Sequence, residues 1–187
     1  MTARETIRHR VAVAGRVVDE RTRRGVAGAE VRLSGGTRSG QVRTAADGHF
    51  HFLDLPDGSY ALEAALPSLG DRYGGASARV DVSRDAEGNV VIPRVELVLR
   101  PTTVIGRVSS AAAAGSVAVG MAEVRVKGSG ERTLSDMEGR YVLSAVHTGE
   151  RTLEVVRDGY ETASASAALD EPGTVKTLDF VLVSSGR

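Results

Sequence analysis

The sequence contains no cysteine and no tryptophan, only two lysines against 22 arginines, and 4% aromatic residues. The missing cysteine excludes disulfides, thiol nucleophiles, zinc knuckles and iron–sulfur clusters together. The 24 basic and 24 acidic residues cancel, so the basic excess of a general nucleic-acid binder is absent and no nucleic-acid partner is expected. No apolar run approaches the ~18 residues a membrane helix requires, so no membrane insertion is expected. Residues 1–10 are polar and lack the apolar stretch of a secretory signal. The expectation is synthesis and assembly in the cytoplasm, with release, if any, as part of a particle.

What the chain does have is a repeat. Gly15-Arg16-Val17 returns as Gly106-Arg107-Val108 and Ala29-Glu30-Val31-Arg32-Leu33 as Ala122-Glu123-Val124-Arg125-Val126. Gly48-x-Phe50-x-Phe52 returns as Gly139-x-Tyr141-x-Leu143, and Gly58 and Leu62 as Gly149 and Leu153. The spacing is 91 at every anchor but one, where it is 93. One unit has been duplicated in tandem. The expected division is a polar N-terminal extension at 1–10 and two domains at 11–100 and 101–187.

Each unit reads as short strands. Apolar residues alternate in Val11-x-Val13, Val31-x-Leu33, Phe50-x-Phe52, Val80-x-Val82 and Val95-x-Leu97-x-Leu99, the period of a half-buried strand. Valine, present 26 times, suits a pleated surface because its branched Cβ packs there. Turn residues separate the runs: Gly35-Gly36, Asp47-Gly48, Pro56-Asp57-Gly58, Gly74-Gly75 and Glu87-Gly88-Asn89. The alanine run at 111–114 is too short for a helix and reads as a loop. The pattern predicts an all-β chain of two tandem antiparallel β-sandwiches. The aromatics fall at paired sites, Phe50 with Tyr141 and, more loosely, Tyr73 with Tyr160, which marks core or corner residues. Gly48, Gly139, Gly58 and Gly149 read as turn glycines. Gly15 and Gly106 lie inside a first strand, where glycine marks a bulge or a close backbone approach.

These strings resemble the carboxypeptidase regulatory-like domain. The resemblance rests on G-R-V-V-D, G-V-A-G-A-E-V-R-L and D-G-H-F-H-F-L-D-L-P-D-G-S-Y in the first copy. In the second it rests on A-E-V-R-V, E-G-R-Y-V-L and T-G-E-R-T-L-E-V. It implies that each unit is a seven-stranded transthyretin-like (prealbumin-like) Greek-key sandwich serving as an accessory module. No cofactor is expected. The join and duplicated layout also resemble, more weakly, repeats associated with cap proteins of phage-tail-like contractile injection systems. The implied role is a non-catalytic structural or docking subunit of a larger bacterial assembly, with protein partners. A carbohydrate-binding or adhesive module of the cell surface is the alternative.

No catalytic set is legible. The four histidines, His9, His49, His51 and His147, form no His-Glu-x-x-His, and no nucleophile elbow, phosphate loop or dinucleotide-binding glycine pattern occurs. His49 and His51 share one strand face, but no third ligand is evident, so they read as solvated residues and no metal is expected. The chain ends Val183-Ser184-Ser185-Gly186-Arg187 rather than in the Tyr-Arg-Gly-Ser of transthyretin-like purine hydrolases. Lys127, Lys176 and Asn89 fall in different units, which removes a Lys–Asn isopeptide bond of the kind found in similar adhesin repeats. Two candidate partner contacts stand out. One is the arginine turn Arg21, Arg23 and Arg24. The other is the segment 67–78, with Arg72 and Tyr73, which has no equal in the second copy and is expected to reach outward. Pro101, at a join of about three residues, is expected to stiffen a two-domain rod.

Overall fold

The computed structural model describes residues 9–36, 38–112 and 115–186. Two compact units emerge. The first comprises Met1–Ser68 and Gly75–Leu99, the second Leu69–Gly74 and Arg100–Arg187.

The first unit carries β1 (Val11–Asp19), β2 (Glu30–Gly35), β3 (Arg38–Arg43), β4 (His49–Leu53) and β5 (Gly58–Ala65). A 3-10 turn (Pro67–Arg72) and β6 (Tyr73–Gly74) follow, then β7 (Ala76–Arg84), β8 (Val90–Val91) and β9 (Arg94–Pro101). One sheet places β1 between β4 and β9, and the other runs β3-β2-β5-β7-β8. β6, part of the second unit, pairs Tyr73 with Pro101 and Gly74 with Arg100. The second unit repeats the plan with β10 (Thr103–Ala112), β11 (Gly115–Ala118), β12 (Glu123–Val126), β13 (Arg132–Leu134) and β14 (Arg140–Ser144). It continues with β15 (Gly149–Val156), β16 (Ala163–Leu169), β17 (Val175–Thr177) and β18 (Phe180–Leu182). Here β10 pairs with β11, β14, β17 and β18, and the facing sheet runs β13-β12-β15-β16.

The expected core residues lie inside. Phe50, Phe52, Leu62, Tyr141, Leu143 and Leu153 are all buried, and the Phe50 and Phe52 rings meet edge to face at 6.1 Å. Three features differ from the sequence expectation. The first and last strands of each unit pair in parallel, β1 with β9 and β10 with both β17 and β18, because the chain crosses the facing sheet before it returns. Ala111 and Ala112 end β10, opposite Ser116 and Gly115, while residues 113–114 lie outside the described residues, as do residues 1–8 of the N-terminal extension. The third is the segment 67–78, treated below.

The glycines of the first strands stand under aromatic rings. Gly15 lies opposite Phe50 and Gly106 opposite Tyr141. A Cβ on Gly15 would come within 2.4 Å of Cζ of Phe50 and 2.6 Å of the Val95 carbonyl oxygen. On Gly106 it would lie 1.9 Å from the Leu178 carbonyl oxygen. Both are close approaches, and the only bulge in β1 falls between Val11 and Val13. The turn glycines Gly48 and Gly139 sit at φ 84° and 78°. Any side chain there would strike the Val17 or Val108 carbonyl oxygen.

Tyr141 differs from Phe50 by a hydroxyl, and the fold answers it. The Tyr141 hydroxyl donates to the Leu178 carbonyl at 2.6 Å. Leu178 and Asp179 interrupt the last strand between β17 and β18, whereas β9 in the first copy runs unbroken. The interruption is pinned: Leu178 N donates to the Ile105 carbonyl, and Asp179 accepts from Arg107 N. Burial, with Asp179 nearby, raises the Tyr141 phenol pKa. Tyr141→Phe leaves the Leu178 carbonyl without this donor, and we expect the second unit to lose about 1 kcal/mol in urea denaturation. No loss would show that the hydroxyl and the interruption are unrelated.

Candidate functional site

The arginine turn follows β1. Asp19 Oδ1 accepts from Arg21 N (3.0 Å), Thr22 N (2.7 Å) and Thr22 Oγ1 (2.9 Å), an Asx-type closure of the turn. Arg23 takes φ 58° and pairs with Glu96 on β9. Arg21 and Arg24 are exposed.

Arg72 and Tyr73 are placed otherwise than expected. Rather than reaching outward, Leu69–Gly74 forms part of the second unit. Thr102 is fully buried and holds it: Thr102 N donates to the Arg72 carbonyl at 2.8 Å, and its hydroxyl to the Asp71 carbonyl at 3.3 Å. The Asp71 carboxylate receives Thr148 N (3.2 Å), the Thr148 hydroxyl and His147 Nδ1. These hydrogen bonds, Thr148 first and His147 next, hold the Asp71 pKa down to about 2. Arg72 Nε donates to His147 Nε2 at 2.9 Å, and its terminal nitrogen stands 2.6 Å from Glu131. A hydrogen-bonded array thus replaces the expected outward loop. The arginine turn and Arg72–Tyr73 fall in different units. Nor are Tyr73 and Tyr160 equivalent: Tyr73 lies on β6, while Tyr160 bridges Ser184.

The duplication explains why His147 is available. At the matching place in the first copy stands Pro56, whose carbonyl accepts the Tyr60 hydroxyl at 2.9 Å. In the second copy Arg151 replaces Tyr60 and donates to the His147 carbonyl at 3.2 Å. The corner contact survives with both residues changed, and an imidazole is left projecting toward Asp71.

Other polar groups that hold the fold belong to no named motif. Thr44 and Ser135, each four residues before a turn glycine, are buried. Each hydroxyl accepts one amide, Ala29 or Ala122, and donates to one carbonyl, Val26 or Val119. Arg16 and Arg107, the arginines of the repeated Gly-Arg-Val, each donate Nε at 3.0 Å to the carbonyl preceding the turn glycine. On the outer face of the second unit Arg125 and Lys127 grip Glu154 and lower its pKa. His49 pairs with Asp47 at 3.0 Å, and His51 is exposed beside it. A His-x-x-Glu spacing does occur, at His147 and Glu150. Yet among the described residues no group of three His, Cys, Asp or Glu could hold a metal ion.

The profile of the carboxypeptidase regulatory-like domain family matches residues 12–93 and again 103–183. The chain belongs to this family. Each regulatory-like domain carries three of the six turn and strand glycines, Gly15, Gly48 and Gly58 in the first and Gly106, Gly139 and Gly149 in the second, and their shared hydrogen bonds fall inside the matched spans. No curated protein matches the chain. Among solved structures it is similar to the shaft pilin SpaA from Lactobacillus rhamnosus GG, at 13% identity over 95% of this chain and 99% of that one (TM-score 0.43). It is similar also to the Bacillus anthracis TIE protein, at 14% identity over 93% of this chain and 34% of that one (TM-score 0.45). The chain therefore spans about a third of the TIE chain. A cohesin–X-dockerin complex from Acetivibrio cellulolyticus matches at 17% identity over 44% of this chain and 58% of that one (TM-score 0.36). Likeness of this degree says nothing about activity.

Asp71 makes an acid test possible. Its folded pKa of about 2 lies below the ordinary 3.8, so its contribution to stability is complete above pH 3.8 and disappears as pH falls toward 2. Asp71→Asn should flatten that limb of the second unit's pH–stability curve, measured by urea denaturation between pH 5 and 2. An unchanged limb would show that the array does not stabilise the fold.

Proposed function

We propose that the chain is a non-catalytic structural or docking subunit that works through protein surfaces in a larger bacterial assembly. The observation that carries this reading is the use to which the chemistry-bearing side chains are put. Asp71, His147 and Arg72 are bound to one another and to the backbone, and five of the seven aromatic rings lie in the two cores. On the outer faces of two matching strand pairs, charges of opposite sign stand opposite each other. The outer face of β12 and β15 carries Arg125 against Glu154, and the matching positions of β2 and β5 carry Arg32 against Glu63. Such surfaces give register and selectivity to a protein contact more than raw affinity. Membership of an accessory-domain family agrees with it.

The contact we propose is the arginine turn, because Arg21 and Arg24 are exposed on a backbone fixed by Asp19, and arginine suits planar recognition of carboxylates. The finer reading is an accessory or cap-associated component of a phage-tail-like contractile injection system, assembled in the cytoplasm. It is supported by the tandem layout alone.

Cross-linking in the native cell, followed by mass spectrometry, should recover a stable protein partner. Reversing Arg21 and Arg24 together to Glu should weaken that capture roughly five- to tenfold, in line with about 1 kcal/mol from rim charges, at an unchanged Tm. Capture of glycans by the chain in place of a protein would overturn the reading in favour of a carbohydrate-binding module.

A further inference from the structure

We infer that Arg72 is a two-position side chain whose position is set by the proton on His147: it bridges His147 and Glu131 when the imidazole is neutral, and turns wholly onto Glu131 when the imidazole is protonated. The inference concerns the second unit alone and does not depend on the proposed function.

The tautomer follows from the partners. A carboxylate only accepts, so His147 Nδ1 carries the hydrogen directed at Asp71. A guanidinium only donates, so His147 Nε2, 2.9 Å from Arg72 Nε, must offer its lone pair. An imidazole that donates at one nitrogen and accepts at the other is neutral. A proton taken from solvent can go only to Nε2, where it meets Arg72 N–H. The hydrogen bond is then lost and two cations face each other. Asp71, by contrast, keeps its bond to His147 in either state, because Nδ1–H is present in both. The proton therefore acts on Arg72 and leaves the Asp71 grip in place.

Glu131 supplies the second position. Its side chain is only 9% exposed, and neither carboxylate oxygen receives a hydrogen bond, although the Arg72 terminal nitrogen already stands 2.6 Å from Oε1. A buried carboxylate with two unused acceptors offers the fork that a guanidinium fills in bidentate fashion. The charged groups around His147 are then accounted for on each packed element. Asp71 and Arg72 come from the 3-10 turn, and Arg151 on β15 bonds the His147 carbonyl rather than the ring. Glu131, just before β13, reaches the ring only through Arg72. No residue of the Pro67–Arg72 turn is buried, and the Arg72 side chain itself is 30% exposed.

The experiment is nitrogen-15 NMR of the full chain across the range in which histidines titrate. We expect a coupling across the Arg72 Nε–H to His147 Nε2 hydrogen bond in the neutral state, lost in step with the ring titration. The Arg72 side chain should remain ordered afterwards. In Glu131→Gln the coupling should be lost in the same way, but Arg72 should then become mobile, with its Nε–H exchange rate raised at least about tenfold relative to wild type at the same pH. An Arg72 signal that does not change as His147 titrates would overturn the inference, as would an Arg72 equally ordered at low pH in Glu131→Gln. If that variant fails to fold, the wild-type coupling and the order of Arg72 at low pH decide alone.

Discussion

An aromatic ring laid over a glycine governs the architecture of each copy. At Gly15 and Gly106 the first strand gives up its side chain so that the ring on the neighbouring strand can lean across it. The same opening admits a carbonyl from the segment beyond, that of Val95 in one copy and Leu178 in the other. In each copy two strands and the final segment thus meet at one point where the first strand carries no Cβ. Phe50 and Tyr141 then fill the core that the remaining valines and leucines close. A methyl group at either glycine would have to displace a ring and a backbone together, and close-packed interiors do not absorb such a change at small cost.

The two copies show what this constraint permits. Conformation is kept where residues are not: Asp54 and Ala145 both take positive φ, and so do Gly28 and Met121. Exchange of Phe50 for Tyr141 adds a hydroxyl, and the last strand is interrupted at Leu178 to receive it. Exchange of the Pro56–Tyr60 corner for His147 and Arg151 keeps the contact and brings an imidazole into the array with Asp71 and Arg72. What is particular to this chain lies in such differences, while the fold lies in the repeats.

Much of this was legible in the sequence for physical reasons. The alternation in Phe50-x-Phe52 marks a strand with one buried face, and Asp47-Gly48 marks a turn that only a glycine can close. Other features leave no local trace. Parallel pairing of the first and last strands is a property of the chain's path, which alternation does not encode. Ala145 at positive φ has no side-chain signature. The segment containing Arg72 and Tyr73 reads as a glycine-rich loop because its hydrogen-bond partners, Thr102, His147 and Thr148, lie more than 25 residues away in sequence. Thr44 and Ser135 could have been found, since each stands four residues before a repeated glycine. A lone hydroxyl residue in a turn, however, is ordinarily read as solvated.

The most direct measurement is chemical denaturation of Gly15→Ala and Gly106→Ala, each compared with alanine at Gly88, where a Cβ would meet nothing within 4 Å. A methyl at Gly15 or Gly106 should destabilise its own unit by about 2–3 kcal/mol or prevent folding. At Gly88 the cost should be only that of alanine at φ 79°, about 1 kcal/mol. Equal and small losses at all three positions would contradict the view that each sandwich is built around a ring-covered glycine.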